Sequence, residues 1–206
     1  MRGRPRRFDE TAAVRAALTL FWERGYEAVS LTELTRAMGV AVSSFYNTFD
    51  SKLAVFERAT ALYVAEVEDV LSALDEAVLA TALELYVRRA VDRWFQPGNA
   101  RGCFLVLSTM NCSEKSEAAR RVVAEARAEE RRAIVARFVR AADSGELAGD
   151  RAMELSSIYI ATMYGLSTLA RDGESRESLH LLITLFLAGF GRRVAAASEE
   201  PGRIER

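Results

Sequence analysis

Apolar residues recur at intervals of three and four along nearly the whole chain, and no segment alternates strictly enough to predict a strand. Val14, Leu18, Phe21 and Trp22 mark a first helix over 9–24, stopped by Gly25. Ser30-Leu31-Thr32-Glu33 is a capping-box sequence, in which the serine oxygen accepts from the Glu33 N–H and the glutamate reaches back. It starts a second helix with Leu31, Leu34 and Met38 on its buried face, ended by Gly39. A short third helix fits between Ala41 and Thr48. Asp50 or Ser51 caps a long fourth, with Leu53, Phe56, Ala59, Tyr63 and Val67 turned inward.

Downstream the caps are less sharp. The pattern predicts helices near 76–96 and 102–111, then a long one capped by Ser113 that runs to about 142. Its inward face is Val122, Ala126, Ala133, Ile134, Phe138 and Ala141. Two last helices follow over roughly 150–171 and 175–197, with turns at 144–149 and at Asp172-Gly173 and a frayed tail from 198. Pro5, Pro97 and Pro201 are the only prolines, which leaves two long stretches that nothing forbids to be helical. The fold class is all-α.

Composition narrows the chemistry. The 206 residues carry a net charge of −1, are 50% hydrophobic and 28% charged, and so describe an ordinary globular chain. One histidine, His180, and two cysteines, Cys103 and Cys112, leave almost nothing from which to build a zinc site, or a catalytic triad that avoids His180. No phosphate-cradling glycine loop is present, so neither a metal nor a cofactor is expected, and the expectation is not an enzyme. The N-terminal arginines are followed by charges rather than by an apolar signal core, and the longest uncharged runs, 156–170 and 178–191, fall short of a bilayer span. A cytoplasmic protein with no membrane partner is expected.

Two short helices around Gly39, preceded by a third, have helix-turn-helix spacing, although an αα-hairpin inside a bundle fits the same spacing. Within 41–48, Phe45 and Phe49 share one side for the core. Val42, Ser43, Ser44, Tyr46, Asn47 and Thr48 remain outside, and these are side-chain types that meet phosphates, base edges and thymine methyls. Arg2, Arg4, Arg6 and Arg7 form a basic arm that could neutralise phosphates or enter a minor groove; a merely solvated start is the alternative. Residues 1–60 hold nine Arg or Lys against seven Asp or Glu, a local +2.

Over residues 8–60 the sequence resembles the TetR-type transcriptional repressors. The resemblance runs from Ala17-Leu18-Thr19-Leu20-Phe21-Trp22-Glu23-Arg24-Gly25-Tyr26 through Ser30-Leu31-Thr32-Glu33-Leu34 and Ala37-Met38-Gly39-Val40. It continues to Ser44-Phe45-Tyr46-Asn47-Thr48-Phe49 and Ser51-Lys52. It implies a basic arm over 1–8, a helix-turn-helix DNA-binding domain over 9–50, a larger helical effector-binding and dimerisation domain over 51–197, and a tail over 198–206. Tyr46 and Lys52 match backbone-contacting positions, Thr32 lies where hydroxyls and N–H groups hold a phosphate, and Val42, Ser43 and Ser44 match base-reading positions. Three positions depart from the family pattern. Ser43-Ser44 stands where Gly-Thr is common, Thr48 where His or Tyr is common, and Ala41 where a serine would cap the third helix.

The last helix is apolar nearly all round, so a partner subunit or its own chain must cover a second side. With a dimer, Ile158, Leu166, Leu182, Ile183, Phe186 and Phe190 are the candidate interface of an isologous contact that suits a palindromic double-stranded operator. Tyr63, Tyr86, Trp94, Phe95, Cys103, Phe104, Leu107, Met110, Phe138, Tyr159, Met163 and Tyr164 form an aromatic and sulfur-rich set. Most of these must be core, and the resemblance implies a pocket for a small apolar or amphipathic effector among them. Cys103 and Cys112 are nine residues apart, too far to bridge on one straight helix. Arg101 near Cys103 could favour a thiolate, which opens a thiol-sensing alternative beside a buried, inert cysteine. A helical small-molecule binder that leaves DNA alone is the other rival.

Overall fold

A computed structural model describes residues 9–147 and 151–199, with side chains up to 191. Arg4 and Arg6, with the rest of the arm, lie outside the described residues, as does the end of the tail. The regular elements within them are helical: α1 (Glu10–Arg24), α2 (Leu31–Ala37), α3 (Val42–Thr48), α4 (Lys52–Glu66) and α5 (Glu68–Leu71). There follow α6 (Leu79–Trp94), α7 (Phe104–Leu107), α8 (Glu117–Asp143), α9 (Ala152–Asp172) and α10 (Arg176–Glu199), with 3-10 turns at Ser72–Asp75 and Glu114–Ser116.

The first helices start where short polar side chains can take up orphan N–H groups. Asp9 accepts from the Ala12 N–H at 3.0 Å, Ser51 accepts from the Ala54 N–H at 3.0 Å, and Ser30 and Glu33 close the reciprocal capping box. α3 starts at Ala41 without a side-chain cap, as its sequence implies.

α1 packs against α4 through an edge-to-face pair, Phe21 and Phe56, with centroids 5.1 Å apart. α4 then continues into the body, where Phe56 and Tyr63 meet Phe104 of α7 at 5.6 and 5.3 Å. Trp22 closes the seam. It sets its edge on Tyr63 and donates its indole N–H to the Gly102 carbonyl at 2.8 Å. Gly102 has a left-handed φ of +79°, and a Cβ there would stand 2.4 Å from the Ser167 carbonyl oxygen, so only glycine fits. The body is completed by α8 against α9 and α6 against α10.

Four expectations needed correction. The helix near 76–96 shortens to α6, and the chain ahead of it folds as α5 and a 3-10 turn. Distant arginines hold that stretch: Arg89 donates to the Asp69 carbonyl, Arg140 to Leu74 and Arg137 to Ala77, at 3.0, 3.0 and 2.9 Å. The helix over 102–111 contracts to α7. Ser113 does not cap α8; its hydroxyl donates to the Glu27 carboxylate at 2.7 Å instead, and α8 begins after the 3-10 turn. On α8, Val122, Ala126 and Ala133 are only half-buried, while Ala119, Val123 and the aliphatic stem of Arg137 reach the interior.

Candidate functional site

The turn between α2 and α3 is set by Gly39, whose φ of +68° would strain any other residue type. The Val40 N–H closes it by donating to the Thr35 carbonyl at 3.0 Å. α3 is then pinned by two fully buried rings, Phe45 and Phe49, with centroids 5.7 Å apart. That anchoring decides what faces outward. Val42 is 51% and Tyr46 53% exposed, and Ser43, Ser44 and Asn47 are exposed with them. Thr48 is half-buried and its hydroxyl donates to the Ser44 carbonyl at 3.1 Å. One short helix thus presents an apolar group, hydroxyls, an amide and a phenol, flanked by exposed Thr32 at the start of α2 and by Lys52 at the start of α4.

Lys52 is less free than its sequence position implied. Its Nζ lies 4.3 Å from the centre of the Tyr26 ring, and burial pushes its pKa down, against the opposing pull of Cys112, Glu27 and Glu33. At the start of α2 the Glu33 carboxylate accepts from the Ser30 hydroxyl and N–H and pairs with Arg24. The Ser30 bonds chiefly hold its pKa down, to about 2.

A small cavity of about 30 Å³ lies between α4, α5, α6, the start of α7, α8 and α9. Of the twelve residues in the aromatic and sulfur-rich set, Tyr63, Tyr86, Trp94, Cys103, Met163 and Tyr164 line it. The others go elsewhere, for identifiable reasons. Phe104 is fully buried in the seam beneath Trp22. Phe138 and Tyr159 pack with Phe190, and the Tyr159 hydroxyl donates to the Leu83 carbonyl at 2.6 Å. Phe95 lies beneath the Arg101 guanidinium at 3.7 Å, Leu107 faces a cleft beside Tyr26, and Met110 is 57% exposed.

Sequence reasoning left out Arg93 and Glu130, both of which line the cavity. Tyr86 and Arg93 bracket Ala90 at helical spacing on α6, a signal that was present. Glu130 stands in the charged run Glu129-Glu130-Arg131-Arg132, where nothing local tells which side chain turns inward. It does turn inward: Tyr86 donates its hydroxyl to the carboxylate, and burial raises the Glu130 pKa.

Cys103 is buried in the same wall, with the Tyr63 hydroxyl 3.5 Å from its Sγ. Burial, reinforced by Glu130, pushes the thiol up to about 12, and Arg101 has turned to Phe95 instead. The expectation of a thiolate favoured by Arg101 is therefore reversed. His180 is structural: it joins α10 to α6 through Asp92 at 2.6 Å and Arg88 at 3.0 Å.

The expected dimer residues divide between two faces. Leu166, Ile183 and Phe190 are buried within the chain itself, Ile158 and Phe186 are half-buried, and Leu182 is exposed. Because α10 is apolar all round, its sequence does not distinguish the inward face. The outward face consists of Leu181 and Leu185, at 60% and 62% exposure, with Leu182, and of Leu169 on α9. Beside them Gly165 and Gly189 meet nothing where a Cβ would stand. No helix among the described residues is long and apolar enough to cross a membrane.

Comparison with known proteins connects these surfaces. Residues 13–59 match the family model described as bacterial regulatory proteins, tetR family. The chain is 33% identical to a solved cysteine mutant of the TetR family transcriptional regulator CifR, which is complexed with 26-bp double-strand operator DNA. The match has a TM-score of 0.84 and covers 90% of this chain and 98% of that one. It is also 29% identical over 187 residues to the HTH-type transcriptional repressor BdcR of Escherichia coli K12, covering 86% of each. With the repressor ComR of the same organism it shares 27% over 182 residues, covering 86% of this chain and 87% of the relative.

Proposed function

This chain belongs to the TetR family, and from that premise we propose a dimeric, cytoplasmic, non-catalytic transcriptional repressor that binds a palindromic operator and leaves it when a small effector enters the body. The observation that carries this reading is α3, held by Phe45 and Phe49 so that Val42, Ser43, Ser44, Tyr46 and Asn47 face outward. In this reading Val42, Ser43 and Ser44 read bases, Tyr46, Thr32 and Lys52 meet phosphates, and Arg4 and Arg6 extend the contact along the duplex. The head is 9–50 and the body 51–197. Two copies join through Leu169, Leu181, Leu182 and Leu185, which sets the heads one helical turn apart on DNA, about 34–36 Å.

The seam supports coupling between the two sites. Tyr63 and Cys103 line the cavity, and both adjoin the contacts that hold α1. Trp22 bonds Gly102, the Tyr26 N–H donates to the Ser108 carbonyl at 2.7 Å, and Arg171 of α9 donates to the Trp22 and Glu23 carbonyls. An effector that shifts this wall shifts the end of α1, and it favours release only as far as it prefers the shifted state. A thiol trigger at Cys103 has that group's burial against it.

Titration of the purified protein against DNA from upstream of its own gene, in a salt series with a scrambled duplex as control, tests the reading. Specific binding that weakens with salt, and falls at least tenfold in both Tyr46→Ala and Leu185→Glu, is expected. Equal, weak binding to both duplexes would overturn it.

A further inference from the structure

The last turn of α1 is held from α9, the helix that carries Leu169 and Gly165 of the outward face. Arg171, one residue from the end of α9, donates to the Glu23 carbonyl at 2.8 Å and to the Trp22 carbonyl. These carbonyls stand at a helix C-terminus, where the helix dipole also favours a cation. α1 does not depend on the contact for its end, because Gly25 already stops it and donates its N–H to the Phe21 carbonyl at 2.8 Å. The other ties of this turn lead elsewhere. Trp22 reaches the Gly102 carbonyl ahead of α7, the Tyr26 N–H reaches the Ser108 carbonyl behind it, and Glu27 accepts from Ser113 and Ser116. Among the described residues, Arg171 is the side chain of α9 that hydrogen-bonds α1.

Stability alone does not account for this contact. The Arg171 Nε is buried with no partner, and burial pushes the guanidinium's pKa down against the opposing pull of Glu23. Water can satisfy carbonyls at a helix end without that penalty. What a guanidinium adds is geometry. Its planar fork grips two successive carbonyls through two nitrogens, and so fixes the direction of α1 as well as its distance from α9. An ammonium would fix distance alone. The orientation then passes along the head: Arg24, the next residue, pairs with Glu33, which closes the capping box of α2, and the Gly39 turn leads into α3. In the other direction Leu169 stands two residues from Arg171, on the face assigned above to the second copy.

We propose that Arg171 is a positioning residue that sets the half-site spacing the dimer accepts, by fixing the attitude of each α3 to the helix that joins the two copies. The proposal rests on the reading of this chain as a dimeric repressor, and adds to it the residue that decides which operators fit. Each base pair inserted between half-sites moves them about 3.4 Å apart and turns one against the other by about a tenth of a turn. A head gripped at two points cannot follow that movement. A head released from Arg171 can, by pivoting on the Trp22 and Tyr26 bonds.

The test is a spacing series at one salt concentration. The full-length natural protein, Arg171→Met, which keeps the aliphatic stem without donors, and Arg171→Lys, which keeps the charge without the fork, are titrated against four duplexes. These are the operator from upstream of the protein's own gene, the same operator with one or two base pairs inserted at its centre, and an isolated half-site. The natural protein is expected to lose at least tenfold in affinity on the first insertion. Arg171→Met is expected to distinguish the three spacings by less than threefold, with its half-site affinity within threefold of the natural protein's, and Arg171→Lys to fall between. A merely structural cap would weaken binding to every duplex by one factor and leave the ratio between spacings unchanged, and that result in Arg171→Met overturns the proposal. Should Arg171→Met lose its fold by circular dichroism, Arg171→Lys carries the test, and an unreduced ratio there overturns it equally. Indifference of the natural protein to spacing overturns it as well. No specific binding of the natural protein to any duplex would overturn the repressor reading and the proposal with it, a result distinct from an unchanged ratio.

Discussion

In the DNA-reading head, helix starts are closed by side chains three residues away: Asp9 on Ala12 and Ser30 on Glu33. In the body, Ser51 and Ser175 still cap α4 and α10 locally, but the stretch leading into α6 is held from across the fold. Arg137 reaches the Ala77 carbonyl, Arg140 reaches Leu74, and the Leu79 N–H donates to Glu146. The head is therefore specified by local chemistry, which keeps one geometry for presenting α3. The body is specified by long-range pairs around a cavity, an arrangement whose parts can move relative to one another when a ligand changes the wall. A rigid reader on an adjustable base is a physical arrangement suited to an effector-controlled repressor.

The largest break in this contrast is expected at Phe45, fully buried and the inner anchor of α3. Phe45→Ala should cost about 3–5 kcal/mol in the head. Chemical denaturation is expected to show an early transition, with operator affinity down at least a hundredfold while small-ligand binding in the cavity persists. A single, unshifted transition would show that head and body are not separable in this way.

A smaller effect is expected at the seam. Gly102→Ala combines a left-handed φ with a Cβ 2.4 Å from the Ser167 carbonyl, and about 1–3 kcal/mol of destabilisation should follow. Because this loop touches both α1 and α9, thermal melting should fall as one transition, unlike the split expected for Phe45→Ala. An unchanged melting temperature would remove the seam from the account.

The smallest effect lies at the capping box. Ser30→Ala should cost about 1 kcal/mol. The Glu33 pKa is depressed from the ordinary 4.5 to about 2. Its contribution is thus fully present above pH 4.5 and is lost as pH falls toward 2. Carboxyl-detected NMR titration of Glu33 should show the low value in the natural protein and a rise toward 4.5 in Ser30→Ala. No difference between the two would mean that the cap does not form in solution.

The same contrast explains what could be read from the chain before its structure was known. Ser30, Gly39, Phe45 and Phe49 declare their roles through spacing of four residues or fewer, so the capped second helix, the turn and the outward set on α3 were legible. Glu130 was not, because Glu129 beside it is chemically identical and only the packing of α8 decides which one faces Tyr86. Ser113 carried a good cap signal that a better partner, Glu27, took away from 86 residues off. On α10, Ile183 and Leu185 are equally apolar, and only the position of the neighbouring helices buries one and exposes the other.

Nuclease footprinting on the DNA upstream of the protein's own gene tests the central claim most directly. The account predicts two protected half-sites about one helical turn apart, related by a dyad and absent with Tyr46→Ala. Protection of a single site, or protection that Tyr46→Ala leaves intact, would contradict a dimer that reads DNA through α3.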